Sequence, residues 1–211
     1  MRQTIDELVD IQIGYQFRER LTMESDGTHQ VIQAKDIDEQ HGHRLIASSL
    51  CRVTPKRDAE KYEVTNGDVI FLSKGRRNYA TLIEGLHGGT SVARPDDGQE
   101  AGHLPTIAAG YFFILRPRTQ RIRTDYLAWA INAPAAQAYL RSVAGGSGMP
   151  FVSKHAFLGM EIDVPPPERQ RLIVELHRLA ERQSHLLREL ERKQSELTTG
   201  ICVAAARRNE R

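Results

Sequence analysis

The chain has 211 residues and a mass of 23.8 kDa, enough for one globular domain with an appendage or for two small domains. With 40% apolar residues, and 29 Lys and Arg against 27 Asp and Glu, it is neither wholly disordered nor a polycation that coats nucleic acid indiscriminately. Cys51 and Cys202 offer no disulfide framework or zinc spacing, no run reaches the ~18 apolar residues of a membrane span, and "MRQTIDELVDIQIG" lacks a signal-peptide core, so a soluble cytoplasmic protein is expected.

Taken in chain order, residues 1–165 predict a mixed α/β domain in which strands dominate. "HQVIQAKDI" and "GDVIFLS" are short β-branched runs bounded by Gly, Asp and Ser, and "TLIEGL" and "AGYFFILRP" follow the same pattern. Between the last two, "HGGTSVARPDDGQEAGHLP" reads as a long loop or an irregular strand pair. "TDYLAWAINAPAAQAYLRSVA" changes to a helical period, with Leu127, Ile131, Ala135, Ala138 and Val143 near one face, and Pro134 splits it into two helices. The glycine-rich "GGSGMPFVS" then leads into "AFLGMEIDV", expected to be a last short strand.

From residue 166 to 211 the pattern is helical. The prolines at 165–167 suit a helix start, where a missing N–H costs nothing, and Glu168 suits the positive end of the helix dipole. Leu172, Leu176, Leu179, Gln183, Leu186, Leu190, Lys193 and Leu197 follow in alternating steps of four and three, the seam of a coiled coil with two polar interruptions. A helix over 167–203 spans roughly 55 Å, longer than such a domain is wide. Part of it is therefore expected to pack on something other than its own domain; a helix lying wholly on its own core is the plainer reading.

Four basic loop ends stand out on a chain of net charge +2. "SKGRRNY" places Lys74, Arg76, Arg77, Asn78 and Tyr79 on a turn after a strand. "LRPRTQRIR" carries Arg118 and Arg121, Lys35 follows a strand, and Lys154 and His155 follow the glycine loop. Lys and Arg neutralise phosphates, and Arg and Asn read guanine and adenine edges, although a solvated hairpin tip explains a basic turn equally well. Catalytic readings find less support. No P-loop, GxGxxG or GxSxG is present, "INAPAA" lacks the aromatic ending of an amino-methyltransferase signature, and His41-Gly42-His43 is an HxH in a polar loop. Asp26, Gln33 and Lys35 imitate the acid and Gln-x-Lys of metal-dependent nucleases, which keeps a weak nuclease alternative. No metal site and no bound cofactor are expected.

Together, "Y-x-V-x-x-GDVIFLSKG" from Tyr62 to Gly75, "AAGYFFILRP", "DYLAWAINAPAAQAYL" and "GSGMPFVSKHAFLGMEIDVPPPERQRLIVEL" resemble the specificity subunits of type I restriction–modification systems. The passage from the Ile162–Val164 strand through the prolines to Glu168, Arg169 and Gln170 resembles that family's junction between recognition domain and spacer helix. The resemblance implies an α+β fold: a strand-rich target-recognition domain over 1–165 and one long coiled-coil-forming helix over 166–211. Family members carry two of each, so this chain resembles a half-subunit. That implies a non-catalytic protein that pairs with a second copy through its helix and reads a bipartite, inverted-repeat site in double-stranded DNA. It also implies recruitment of a methyltransferase subunit, which supplies S-adenosylmethionine chemistry in trans, and of a restriction or translocase subunit. A stand-alone dimeric DNA-binding regulator is the alternative.

Overall fold

The computed structural model describes residues 1–19, 21–39, 42–86, 104–146 and 148–207. His41, most of the expected loop after residue 86, and Ser147 in the glycine-rich loop lie outside the described residues. The elements run β1 (Arg2–Thr4), α1 (Ile5–Leu8), β2 (Val9–Ile13), β3 (His29–Ile32), β4 (Ile37–Asp38), β5 (Arg44–Leu45), β6 (Cys51–Val53), β7 (Val69–Leu72), β8 (Ala80–Leu82), β9 (Thr106–Ala108), β10 (Phe112–Pro117), α2 (Thr124–Asn132), α3 (Pro134–Val143), α4 (Lys154–Leu158), β11 (Glu161–Asp163) and α5 (Pro167–Arg207). This is an α+β fold ending in one long helix. The chain divides into two compact units, Met1–Arg171 and Leu172–Arg211, so the first takes in the start of α5.

A four-stranded antiparallel sheet, ordered β2-β10-β7-β8, forms the centre of the first unit. A three-stranded sheet, β6-β3-β9, lies beside it, with β3 and β9 parallel. The continuous apolar runs of β7 and β10 reflect burial on both faces. Ile70, Leu72, Phe112 and Ile114 join the core that the two sheets share. On the opposite side, Phe71 stacks on Phe157 of α4 at 4.3 Å, and Phe113 meets the same ring edge-on at 5.7 Å.

The helices behind that sheet follow from local sequence. Ala133 is extended, as a residue before proline should be, and Pro134 opens α3 where no backbone donor is needed. Asn132, just before the break, uses both ends of its amide on Ala80 of β8: its Oδ1 accepts from the Ala80 N–H and its Nδ2 donates to the Ala80 carbonyl, each at 2.8 Å. That side chain thereby continues the ladder beyond edge strand β8.

One part of the unit differs from expectation. "AFLGMEIDV" is not one strand: Ser153 caps α4 by accepting from the Ala156 N–H at 3.1 Å, and only Glu161–Asp163 is extended. Packing of Phe157 on Phe71 and Phe113 decides this, since a five-residue helix has little intrinsic stability. The N-terminus also contributes strands, because β1 pairs with β11 and β2 pairs with β10.

In the second unit α5 runs on without a break to Arg207. Its pairs are local, Arg192 with Glu196 at 2.6 Å and Lys193 with Glu189 at 3.2 Å, both one turn apart. Lys193 holds the Glu189 carboxyl below the usual carboxylate range. No helix among the described residues is long and apolar enough to cross a membrane.

Candidate nucleic-acid interface

The register of the central sheet sorts the basic loop ends. Leu72 of β7 lies across from Phe112, at the end of the sheet where β2 finishes at Ile13. Ser73 and Lys74 leave the sheet at that end. Pro117 lies across from Val9 at the other end, about 17 Å away along β10 at roughly 3.3 Å per residue. Arg118 and Arg121 follow Pro117, so the topology parts them from Lys74. The Arg118 guanidinium is already engaged, with Nε on the Asp10 carboxylate at 2.7 Å and Nη1 on the Asp6 carbonyl at 2.6 Å.

Lys74 meets the other loops instead. Gly75 N–H donates to the Pro150 carbonyl at 2.9 Å and Val152 N–H to the Ser73 carbonyl at 2.8 Å, so the glycine-rich loop runs antiparallel beside the Lys74 turn. Two residues past Val152, Lys154 donates from Nζ to the Ile11 carbonyl at 3.0 Å, and His155 is exposed next to it. Lys35 and Lys74 line one open cleft of about 440 Å³. Its walls also include Gln16, Gln33, Phe17 and Tyr111. Glu19 lies there too, but Lys56 pairs with it at 2.6 Å and holds its carboxyl below the usual range. The cleft therefore offers two ammonium groups, two carboxamides and aromatic surface.

The remaining residues of the turn divide by role. Arg76 and Arg77 are exposed, and Arg77 Nη1 lies 3.4 Å from Glu39 Oε2. Asn78 Nδ2 donates to the Leu72 carbonyl at 2.9 Å, which holds the turn closed. Tyr79, expected on the contact surface, is corrected: it is 2% exposed and belongs to the shared core. Its ring stacks on His43 at 4.5 Å, and burial, with Glu39 nearby, pushes its ionisation above the ordinary tyrosine range. Arg77 belongs to the turn, whereas Tyr79 sits next to the start of β8 at Ala80 and joins the core there.

Gln16, Phe17 and Tyr111 were not picked out by charge, yet a local signal exists in "GYQF" and "GYFF". Gly14 lets the two segments cross: an added Cβ would lie 2.3 Å from the Ala109 carbonyl oxygen. The crossing is tied by Tyr15 N–H to Ala108 O at 2.8 Å and Gln16 Nε2 to Gly110 O at 2.9 Å.

Around the nuclease-like residues, Gln33 and Asp36 cap each other's backbone, and the Lys35 ammonium lies 3.4 Å from Cys51 Sγ. Asp26 is exposed on a turn. Among the described residues no group of three or more His, Cys, Asp or Glu could hold a metal ion.

On the second unit, Leu172, Leu176, Leu179, Leu186, Leu190 and Leu197 are 54–69% exposed. Gln183 and Lys193 interrupt that row.

No family model matches the chain, and no curated protein matches it. Solved structures do. A chain of a type I R-M system, solved to explain complex assembly and conformational transition, matches with a TM-score of 0.61 at 17% identity over 94% of this chain and 42% of its own. The HsdS subunit from Thermoanaerobacter tengcongensis matches with a TM-score of 0.56 at 16% identity over 90% of this chain and 39% of its own. The chain thus has the fold of type I R-M S subunits, as its motifs implied, and spans about two fifths of the length of the proteins it matches.

Proposed function

We propose that this chain is a non-catalytic, sequence-specific DNA-binding component of a type I-like restriction–modification system. The observation that carries this reading is the convergence of Lys35 and Lys74 on one cleft, in a chain with the S-subunit fold. Lys35, Lys74, Arg76 and Lys154 would meet phosphates, which fixes register. Arg77, His155 and the cleft carboxamides would read base edges, while Asn78 holds the turn that carries Arg77. Arg118 and Arg121 are left out of this contact set, because the sheet separates them from it.

The domain organisation proposed is a recognition unit up to the prolines and a spacer helix from residue 166. The exposed row from Leu172 to Leu197 would bury itself against the same helix of a second copy, in a register set by Gln183 and Lys193. Two recognition units held by rigid helices would read a split, inverted-repeat site. The match over about two fifths of the S-subunit chains, which leaves room for a second such half, supports this arrangement. The paired helices would also dock a methyltransferase subunit, and a restriction subunit with it, in the cytoplasm.

Binding of a duplex pool with a randomised core, followed by sequencing of the bound fraction, tests the proposal. An enriched inverted repeat is expected. Arg77→Ala should then flatten one position of each half-site, since a bidentate arginine–guanine contact gives about 1–3 kcal/mol of discrimination. No enrichment, and affinity unaltered by Lys35→Ala and Lys74→Ala together, would refute it. Co-purification with a methyltransferase subunit separates this role from that of a stand-alone regulator.

A further inference from the structure

Phe151 is a large apolar side chain left 43% exposed on a backbone that is held on both sides. Its own N–H and carbonyl pair with Gly145, at 2.8 and 2.9 Å. On its other side the flanking bonds, Gly75 to Pro150 and Val152 to Ser73, make Lys74 and Phe151 a directly opposed pair without hydrogen bonds of its own. In an antiparallel ladder such a pair brings side chains closest, on one face. Lys74 lines the basic cleft, so the Phe151 ring stands at its margin.

The turn that delivers the ring is built for it. Gly146 has φ +102, a conformation that other residues rarely adopt. A Cβ there would lie 2.7 Å from the Met149 carbonyl oxygen and 3.4 Å from Phe151 Cδ1. The ring thus rests against a glycine that leaves it room, and four backbone bonds fix its direction. A solvent-facing aromatic on a rigid support is pre-organised for contact, because little freedom remains to be lost when it binds.

We infer that Phe151 is a specificity-determining contact of the DNA site, packing on the 5-methyl group of a thymine in the major groove beside the phosphates held by Lys74. The inference rests on the DNA-binding reading above. Charge complementarity selects the occupant: the ring lies opposite Lys74, which shares its cleft with Lys35, two cations that attract a polyanion, and thymine alone presents an apolar group in the major groove.

The test compares Phe151→Ala, Phe151→Leu and Lys74→Ala with the parent chain on the randomised duplex pool, and then on the selected duplex with deoxyuridine at the thymine in question. Phe151→Ala is expected to weaken binding to the selected duplex about tenfold, the size of one good aromatic–base contact. It should lose the preference for thymine at one position of each half-site and keep the parent's salt dependence. Phe151→Leu should keep part of the preference. Deoxyuridine should weaken the parent equally and leave Phe151→Ala unaffected, as coupled partners require. Lys74→Ala should instead weaken all sequences alike and flatten the salt dependence. If Phe151→Ala binds with unchanged affinity and preference while Lys74→Ala weakens, the inference falls and the DNA-binding reading stands. If Phe151→Ala leaves DNA binding intact but releases a co-purifying methyltransferase subunit, the ring is a protein contact and the inference is overturned. If neither substitution matters, both readings fall. Circular dichroism and a melting curve confirm that each variant is folded.

Discussion

The side-chain carbonyl of Gln170 accepts a hydrogen bond from the backbone N–H of Arg123 at 2.9 Å, in a position closed to solvent. The same amide donates to the carbonyls of Arg121 and Pro165, both at 2.7 Å. One glutamine in the first turn of α5 therefore ties the helix start to the loop after β10 and to the first proline. Proline alone fixes only φ, so these hydrogen bonds supply the rest of the fixation of the helix start. Gln170→Ala removes all three hydrogen bonds and should destabilise the first unit by about 2–4 kcal/mol, at roughly 0.5–1.5 kcal/mol for each bond. Gln170→Glu should cost more, because a carboxylate cannot donate to two carbonyls. Urea unfolding reads both values.

Asn132 performs a similar task at the sheet edge. Asn132→Ala should cost about 1–3 kcal/mol and accelerate amide exchange at Ala80, whose N–H would lose its acceptor. Exchange at Val69 and Leu115, paired in the middle of the sheet, should accelerate only by the loss of global stability.

Salt dependence isolates the cleft. Lys35→Ala and Lys74→Ala should each reduce the slope of log affinity against log salt by about one, the share of one neutralised phosphate on duplex DNA. The double substitution should reduce it by about two. Fluorescence anisotropy across a salt series measures this.

Burial raises the ionisation of Tyr79, Tyr111 and Tyr126 above the ordinary tyrosine range; for Tyr126 the Asp163 charge adds to it. In the unfolded chain tyrosine titrates near its usual value of about 10. The folded state thus binds protons more tightly, and the stabilisation is complete below that pH and is lost as pH rises through and beyond it. Melting temperature should hold up to about pH 9 and then fall. Tyr79→Phe should lessen the fall at no cost near neutral pH, because its hydroxyl is buried with no hydrogen-bond partner among the described residues.

Association through α5 should be sensitive to single leucines. Leu186→Glu should raise the dissociation constant of a dimer by at least about tenfold, since a buried leucine contributes about 1.5–3 kcal/mol. Gln183→Leu should lower it and loosen the register. Light scattering over a concentration series reads both.

The sequence by itself determined the elements whose signals are local. The uninterrupted apolar runs of β7 and β10, the break at Pro134 and the start of α5 at the prolines each follow from a few neighbouring residues, because backbone preferences and side-chain periods act over that range. The same holds for the leucine row, which needs only helical geometry. Tertiary structure alone decided that Lys35 and Lys74 share a cleft while Arg118 and Arg121 stand at the far end of the sheet. It also turned Tyr79 into the core, made a helix of "KHAFL" under Phe71 and Phe113, and gave Gln170 its three backbone partners. Each of these depends on which strands pair and in what register, and pairing brings together residues dozens of positions apart, where no local pattern can record the outcome.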